Sequence, residues 1–346
     1  MYAGSDLYPL HRIRPDGEGY MYPGLVKNTR RTDGWGRESI NLSAEYSTPC
    51  ICFGGEKTAE SPVAQDIWGN RALAYSQIYR FGFNLDLLKD QSLQRLGVGG
   101  FAPNGSIHLG HLQHVQALKD SNIDFMVASF NDIEARFVRG ATDEEIGRAI
   151  GSFEVVFNGE ADIEQRTQVP ELMDLYHYFN REVTLEDMFM VFGRDLNRAE
   201  LESVNLQAAA YLWRSVNNPN VIPVGYDGIE ELKRMIYINH MAQTKLGLPG
   251  GVFFISPQIH GWNPDLKMGK SNPGGSLMVG DSLDDALARI AFLEDTSSSR
   301  HMLRMIAFLL SEDRSILSDI DTDFDFLQET ASANLIANHQ SIFPLT

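Results

Sequence analysis

Cysteine is almost missing from this chain: Cys50 and Cys52 are the only two in 346 residues. They lie in Thr-Pro-Cys-Ile-Cys-Phe, where a strand would turn both to one side, too close together to join easily. A disulfide framework is excluded, and no further cysteine completes a zinc site, so the pair reads as buried apolar packing. No metal site of the protein's own is expected. Long apolar runs are missing too. No stretch approaches the ~18 residues that cross a bilayer, and the first residues carry no apolar signal core. The expectation is a cytoplasmic protein without a membrane partner. Positive charge is scarce: 29 Lys and Arg face 46 Asp and Glu, a formal net charge of −17. An acidic surface repels phosphate backbones, so any nucleic acid would have to meet a local basic patch.

What is present is ordinary for a globular protein, with 43% hydrophobic and 22% charged residues and enough length for two or three packed units. The chain is organised around residues 99–119, Gly-Gly-Phe-Ala-Pro-Asn-Gly-Ser-Ile-His-Leu-Gly-His-Leu-Gln-His-Val-Gln-Ala-Leu-Lys. This reads as a strand end, a turn at Pro103, Asn104 and Gly105, and a helix capped by Asn104 or Ser106. His108 and His111 are three residues apart and share a helix face, with Gly110 leaving the backbone bare between them. Exposed amides at a helix start with two imidazoles beside them suit a polyphosphate. The same residues also read simply as a helix start with two half-exposed histidines.

His108-Leu109-Gly110-His111 resembles the HIGH motif of class I aminoacyl-tRNA synthetases. Lys267-Met268-Gly269-Lys270-Ser271 resembles their second motif, KMSKS, in the right order and about one nucleotide-binding domain downstream, with Gly269 in place of the first serine. Arg80-Phe81-Gly82 with the leucines after it, and Asn205-Leu206-Gln207-Ala208-Ala209-Ala210-Tyr211, are similar to archaeal and eukaryotic tryptophanyl-tRNA synthetases. Val224-Gly225-Tyr226-Asp227 is similar to the ribose-binding Gly-x-Asp-Gln, although Gly228 stands where Gln is expected. The resemblance spans about residues 76–290.

The resemblance implies an α/β fold: a Rossmann-type parallel sheet in a nucleotide-binding domain, with a helical insertion and a short helical C-terminal module. The boundaries are an irregular or β N-terminal extension over 1–75, a catalytic domain over 76–281 with a helical dimerisation insertion at about 140–215, and an acidic module over 282–346. Residues 66–95 look helical. Ile123–Ser129 reads as a buried parallel strand whose polar sequel, Asp132 and Glu134, is placed either to meet an amino group or to cap a loop.

By the same resemblance, ATP and Mg²⁺ are the expected cofactors. His108 and His111 would donate to the phosphates, while Lys267 and Lys270 would neutralise the leaving pyrophosphate. ATP would further touch Phe101, Pro103, Asn104, Gly110, Gly225, Asp227, Met268 and Ser271. The amino acid, tryptophan or another aromatic, would meet Val98, Ser129, Glu134 and Gln207. Val98 and Ser129 depart from the family's indole-facing aromatic and glutamine, and Gln207 taken alone reads as a helix-surface residue.

A tRNA and a second copy of the chain are the implied partners. Leu172, Leu175, Met188, Phe189 and Phe192 offer the apolar face for that dimer. Within 1–40, six basic residues slightly outnumber five acidic ones, and Arg30-Arg31 before Trp35 suits a phosphate and a base, or else a solvated loop with a packed tryptophan. The 281–346 module carries twelve acids against four arginines and no lysine, which makes it a poor phosphate binder. Two other readings remain open: a paralogue that passes the aminoacyl group to a non-tRNA acceptor, and a non-catalytic synthetase-like binder.

Overall fold

A computed structural model describes residues 30–32, 38–40, 55–58, 61, 63–103, 105, 107–192, 195–256, 261–262, 275–278, 281–309 and 323–342. Cys50, Cys52, Asn104, Ser106 and the Lys267–Ser271 motif lie outside the described residues.

Strands β1 (Arg30–Thr32) and β2 (Glu38–Ile40) form a small antiparallel pair. A seven-stranded sheet takes β3 (Gly55–Lys57), β4 (Phe81–Phe83), β5 (Gln94–Phe101), β6 (Phe125–Phe130), β7 (Asp162–Gln165), β8 (Val221–Gly228) and β9 (Val252–Ser256). Its order is β3-β4-β9-β8-β5-β6-β7. The five strands from β9 to β7 run parallel, and β3 and β4 close one edge antiparallel. This is the doubly wound α/β sheet that the sequence implies. β5 and β6 are apolar on both sides because helices cover both faces, as parallel strands require.

Successive side chains of a strand point to opposite faces, and two cores result. One contains Phe101, Ala128, Phe130, Val224, Tyr226 and Phe254 together with residues of α1 (Ala64–Trp68), α2 (Ala72–Ile78), α3 (Leu109–Lys119) and α10 (Ser297–Leu309). The other contains Leu96, Val98, Val127, Phe253 and Ile255 beneath α5 (Pro170–Glu182), α7 (Arg198–Asn217) and α8 (Leu232–Met241). The acidic C-terminal helices α9 (Leu283–Ala291), α10 and α11 (Phe324–Ile342) share the first core, and Phe308 meets the Tyr75 ring edge-on at 4.9 Å.

Helix starts follow local chemistry. Thr142 opens α4 (Asp143–Phe157) in a capping box with Glu145, and Asn197 opens α7 in another with Glu200. Asp143, Glu144 and Glu145 also place negative charge at the positive end of the α4 dipole.

Three spans differ from the sequence reading. Residues 66–95 are only partly helical, because Phe81–Phe83 forms the strand that pairs with β9. Two aromatics around a glycine suit a pleated ribbon better than a helix. The 140–215 span, expected to be helical throughout, contains β7, so α4 serves as the crossover from β6 to β7. The C-terminal part, expected only as a short helical module, closes with the 19-residue α11.

Candidate active site

Chain order along the sheet reverses between β5 and β8: from β5 the chain moves to β6 and β7, then returns to lay β8 on the other side. At such a switch point the two crossovers leave in opposite directions and open a crevice outside the C-terminal strand ends. β5 ends there at Phe101, and α3 begins eight residues later at Leu109.

His108 is itself the cap of α3, a role expected of Asn104 or Ser106. It adopts an extended backbone (φ −123°, ψ 169°), and its Nδ1 accepts the Gly110 N–H at 3.1 Å. His111 returns the bond: its Nδ1 accepts the His108 N–H at 3.3 Å. The rings stack with centroids 3.8 Å apart. An imidazole whose Nδ1 accepts carries its proton on Nε2, so both rings present Nε2–H donors. Phe101 backs His111 edge-on at 6.2 Å and is itself packed on Phe153 at 4.3 Å. Pro103 is buried and Gly110 half-buried.

The chain just beyond the Lys267–Ser271 motif returns to this point. His108 forms a β-bridge with Met278, and the Leu109 N–H donates to the Leu277 carbonyl at 3.1 Å. Across the crevice, Asp227 is the penultimate residue of β8, its Oδ1 accepting the Gly228 N–H at 2.8 Å, and Ser256 of β9 donates to its carbonyl at 3.3 Å. Gly225 has a different neighbour from the one expected. A Cβ there would lie 2.8 Å from Tyr211 and 2.9 Å from Phe253, so the space beside it holds rings of the second core rather than an opening for a ribose.

The residues expected to meet the amino acid lie on the α7 side. Val98 and Ser129 are fully buried, and Tyr211 donates to the Val98 carbonyl at 3.3 Å. Gln207 is buried, not on the helix surface, and its Oε1 accepts from Arg234 at 2.9 Å. The helix turns it inward because α7 is packed between the sheet and α8. Ser129 donates to Glu164 at 3.0 Å and accepts from Arg166 Nε at 3.1 Å, while Arg214 pairs with Glu164 at 2.9 Å. Glu134 is buried and pairs with Arg139 at 2.6 Å. Asp132 is fully buried and accepts from Gln165 and Thr167, with the Arg136 guanidinium 3.9 Å away.

The tryptophanyl-tRNA synthetase of Aeropyrum pernix is 17% identical, with a TM-score of 0.66 over 90% of this chain and 95% of that one. The fold is that of the tryptophanyl- and tyrosyl-tRNA synthetases. The tryptophanyl-tRNA synthetase of Plasmodium falciparum gives 0.67 at 17% identity over 87% and 94% of the two chains. The tyrosyl-tRNA synthetase of Aeropyrum pernix gives 0.61 at 17% identity over 75% and 89%. No protein-family model and no curated protein sequence matches the chain.

Within this synthetase fold, the sequence reading missed the buried Glu164, Arg166 and Tyr211 and the half-buried Arg214 beside them. One signal was available. Arg166-Thr167-Gln168 directly follows a short strand, where open sheets hold functional side chains, but the strand was hidden inside a helical reading.

Proposed function

We propose that the chain activates an amino acid with ATP and transfers the aminoacyl group to tRNA. The observation that carries this reading is the closure of the chain beyond Lys267–Ser271 onto the start of the His108 helix, through Met278 and Leu277. The described chain resumes four residues after the second motif and meets the first, which lies more than 150 residues earlier in sequence.

In the first step an α-carboxylate oxygen of the amino acid attacks the α-phosphorus of ATP, and pyrophosphate leaves. In the second a ribose hydroxyl of tRNA attacks the acyl carbon, and AMP leaves. Charge grows on phosphate oxygens, so positioned donors and cations do most of the work. The Nε2–H groups of His108 and His111 supply donors beside the amides of a helix start. Lys267 and Lys270 would balance the pyrophosphate, and Mg²⁺ would arrive with the nucleotide to neutralise phosphate charge. Among the described residues no group of three or more His, Cys, Asp or Glu is placed to hold a metal ion of its own. Phe101, Pro103, Gly110 and Asp227 line the nucleotide side, with Asn104, Met268 and Ser271 assigned there by motif alone. Val98, Ser129, Glu134 and Gln207 face the amino acid, and tryptophan is the one that the resemblance names first.

A homodimer and a tRNA partner belong to the same proposal. No described helix is long and apolar enough to cross a membrane. The test is amino-acid-dependent exchange of pyrophosphate into ATP across all amino acids, followed by charging of total tRNA. Exchange without charging would move the reading to a non-tRNA acceptor; neither would leave a synthetase-like binder.

A further inference from the structure

Arg166 is a cation buried in the interior. Its side chain ranks among the largest that are fully buried, and it follows β7 at the end of the sheet where the crevice lies. Two of the five N–H groups of a guanidinium have partners here, Nε on Ser129 Oγ at 3.1 Å and Nη2 on the Ser129 carbonyl at 3.4 Å. Among the described residues no carboxylate forms an ion pair with it. Glu164 already accepts from Ser129 and pairs with Arg214, so its charge is taken up by another guanidinium. Glu134 has Arg139, and Asp132 has Gln165 and Thr167. Burial pushes the Arg166 pKa down, while Tyr211, Glu164, Glu134 and Asp132 act the other way. Buried charges are normally paired and fully hydrogen-bonded, so a guanidinium with unfilled donors calls for an acceptor.

Its position says which end of a ligand would supply that acceptor. A Cβ on Gly100 would lie 3.2 Å from Arg166 Nη2 and 3.6 Å from the Tyr211 hydroxyl. No side chain of β5 therefore separates the strand from the guanidinium. Gly100 and Val98 are two residues apart and face the α7 side, whereas Phe101 faces the α3 side with His111. A reacting α-carboxylate belongs beside the histidines. Arg166 and Ser129 stand where the far end of the amino acid's side chain would come.

We propose that Arg166 selects an amino acid whose side chain ends in a carboxylate, of the aspartate or glutamate kind. This rests on the activation reading above and departs from its tryptophan expectation. A guanidinium is donor-only, so the N–H of an indole finds no acceptor on it, whereas a carboxylate matches its planar fork and its charge. The buried charge then has its partner only when substrate is bound.

The experiment pairs pyrophosphate exchange with binding, read as the shift in unfolding temperature on adding aspartate, glutamate, tyrosine or tryptophan without ATP. Wild-type protein is expected to bind an acidic amino acid and to exchange pyrophosphate with it, and not with tryptophan. Losing one charge-assisted bond corresponds to roughly 10- to 100-fold, so Arg166→Gln should weaken acidic binding by that much with the KM for ATP unchanged. Arg166→Lys should restore part of it, and Ser129→Ala serves if the arginine variants do not fold. Exchange supported by tryptophan or tyrosine and by no acidic amino acid overturns the inference while the activation reading stands. Acidic binding without exchange sinks the activation reading and keeps the recognition. Absence of acidic binding overturns the inference outright.

Discussion

His108 Nδ1 accepts the Gly110 N–H at 3.1 Å, and His111 Nδ1 accepts the His108 N–H at 3.3 Å, so the two histidines cap their own helix reciprocally. Capping and phosphate donation thus use opposite edges of each ring, and substitutions can separate them. His108→Asn keeps a favoured N-cap and should hold stability within ~0.5 kcal/mol of wild type. It removes the imidazole donor, so pyrophosphate exchange should fall by ~10²- to 10³-fold, as should that of His111→Ala. Exchange rates read beside denaturant midpoints check this. Full activity in both variants would remove the histidines from the mechanism.

Gly225→Ala places a methyl 2.8 Å from Tyr211 and 2.9 Å from Phe253, inside a core whose rings have little room to shift. Overpacking of this kind destabilises by about 1–3 kcal/mol. The urea midpoint should drop accordingly. An unchanged midpoint would mean that the glycine is there for the crevice and not for the core.

Four of the five residues put forward as a dimer face, Leu172, Leu175, Met188 and Phe192, are buried within the chain's own core, and only Phe189 is substantially exposed. Leu172→Ala should therefore cost about 2–5 kcal/mol of folding stability, as a buried leucine does. If a dimer forms through this span, Phe189→Ser is the change that weakens it without unfolding the subunit. Sedimentation velocity of both variants distinguishes the two roles.

Asp187 stands in the first turn of α6 (Leu185–Phe192) and holds His240 at 2.8 Å and Lys245 at 2.8 Å. Burial acts to raise its pKa, but bonds from Lys245, His240 and Thr184 prevail and lower it from 3.8 to about 2. A carboxylate depressed in the folded state stabilises above its unfolded value and loses that effect as pH falls toward the folded one. Stability should therefore decline between about pH 4 and pH 2. Asp187→Asn should lose roughly 1 kcal/mol at neutral pH and flatten that acid limb. Urea titrations at several pH values measure both, and an equally steep limb in the variant would place the acid sensitivity elsewhere.

Arg30 and Arg31 stand in β1 opposite Ile40 and Ser39, within the first 40 residues, where six basic residues outnumber five acidic ones. If they contact tRNA, the double variant Arg30→Ala/Arg31→Ala should weaken binding and lower the log–log salt slope by about two, roughly one for each phosphate contact. Pyrophosphate exchange should not change. Filter binding at several salt concentrations tests it, and an unaltered slope would rule these arginines out as contacts.

The sequence by itself determined the buried strand at Ile123–Ser129, and the resemblance carried by its motifs implied the parallel sheet. The reason is that hydrophobic period and turn residues are local properties, readable a few residues at a time. It also determined that the His108 helix would start beneath a strand end. Only the tertiary structure decided what depends on distant neighbours. Phe81–Phe83 became a strand because β9 was there to pair with it. Asp162–Gln165 did so against β6. Gln207 turned inward because α8 brought Arg234 to meet it. Arg166 acquired its meaning last, since a buried cation is recognisable only when every carboxylate around it is seen to have another partner.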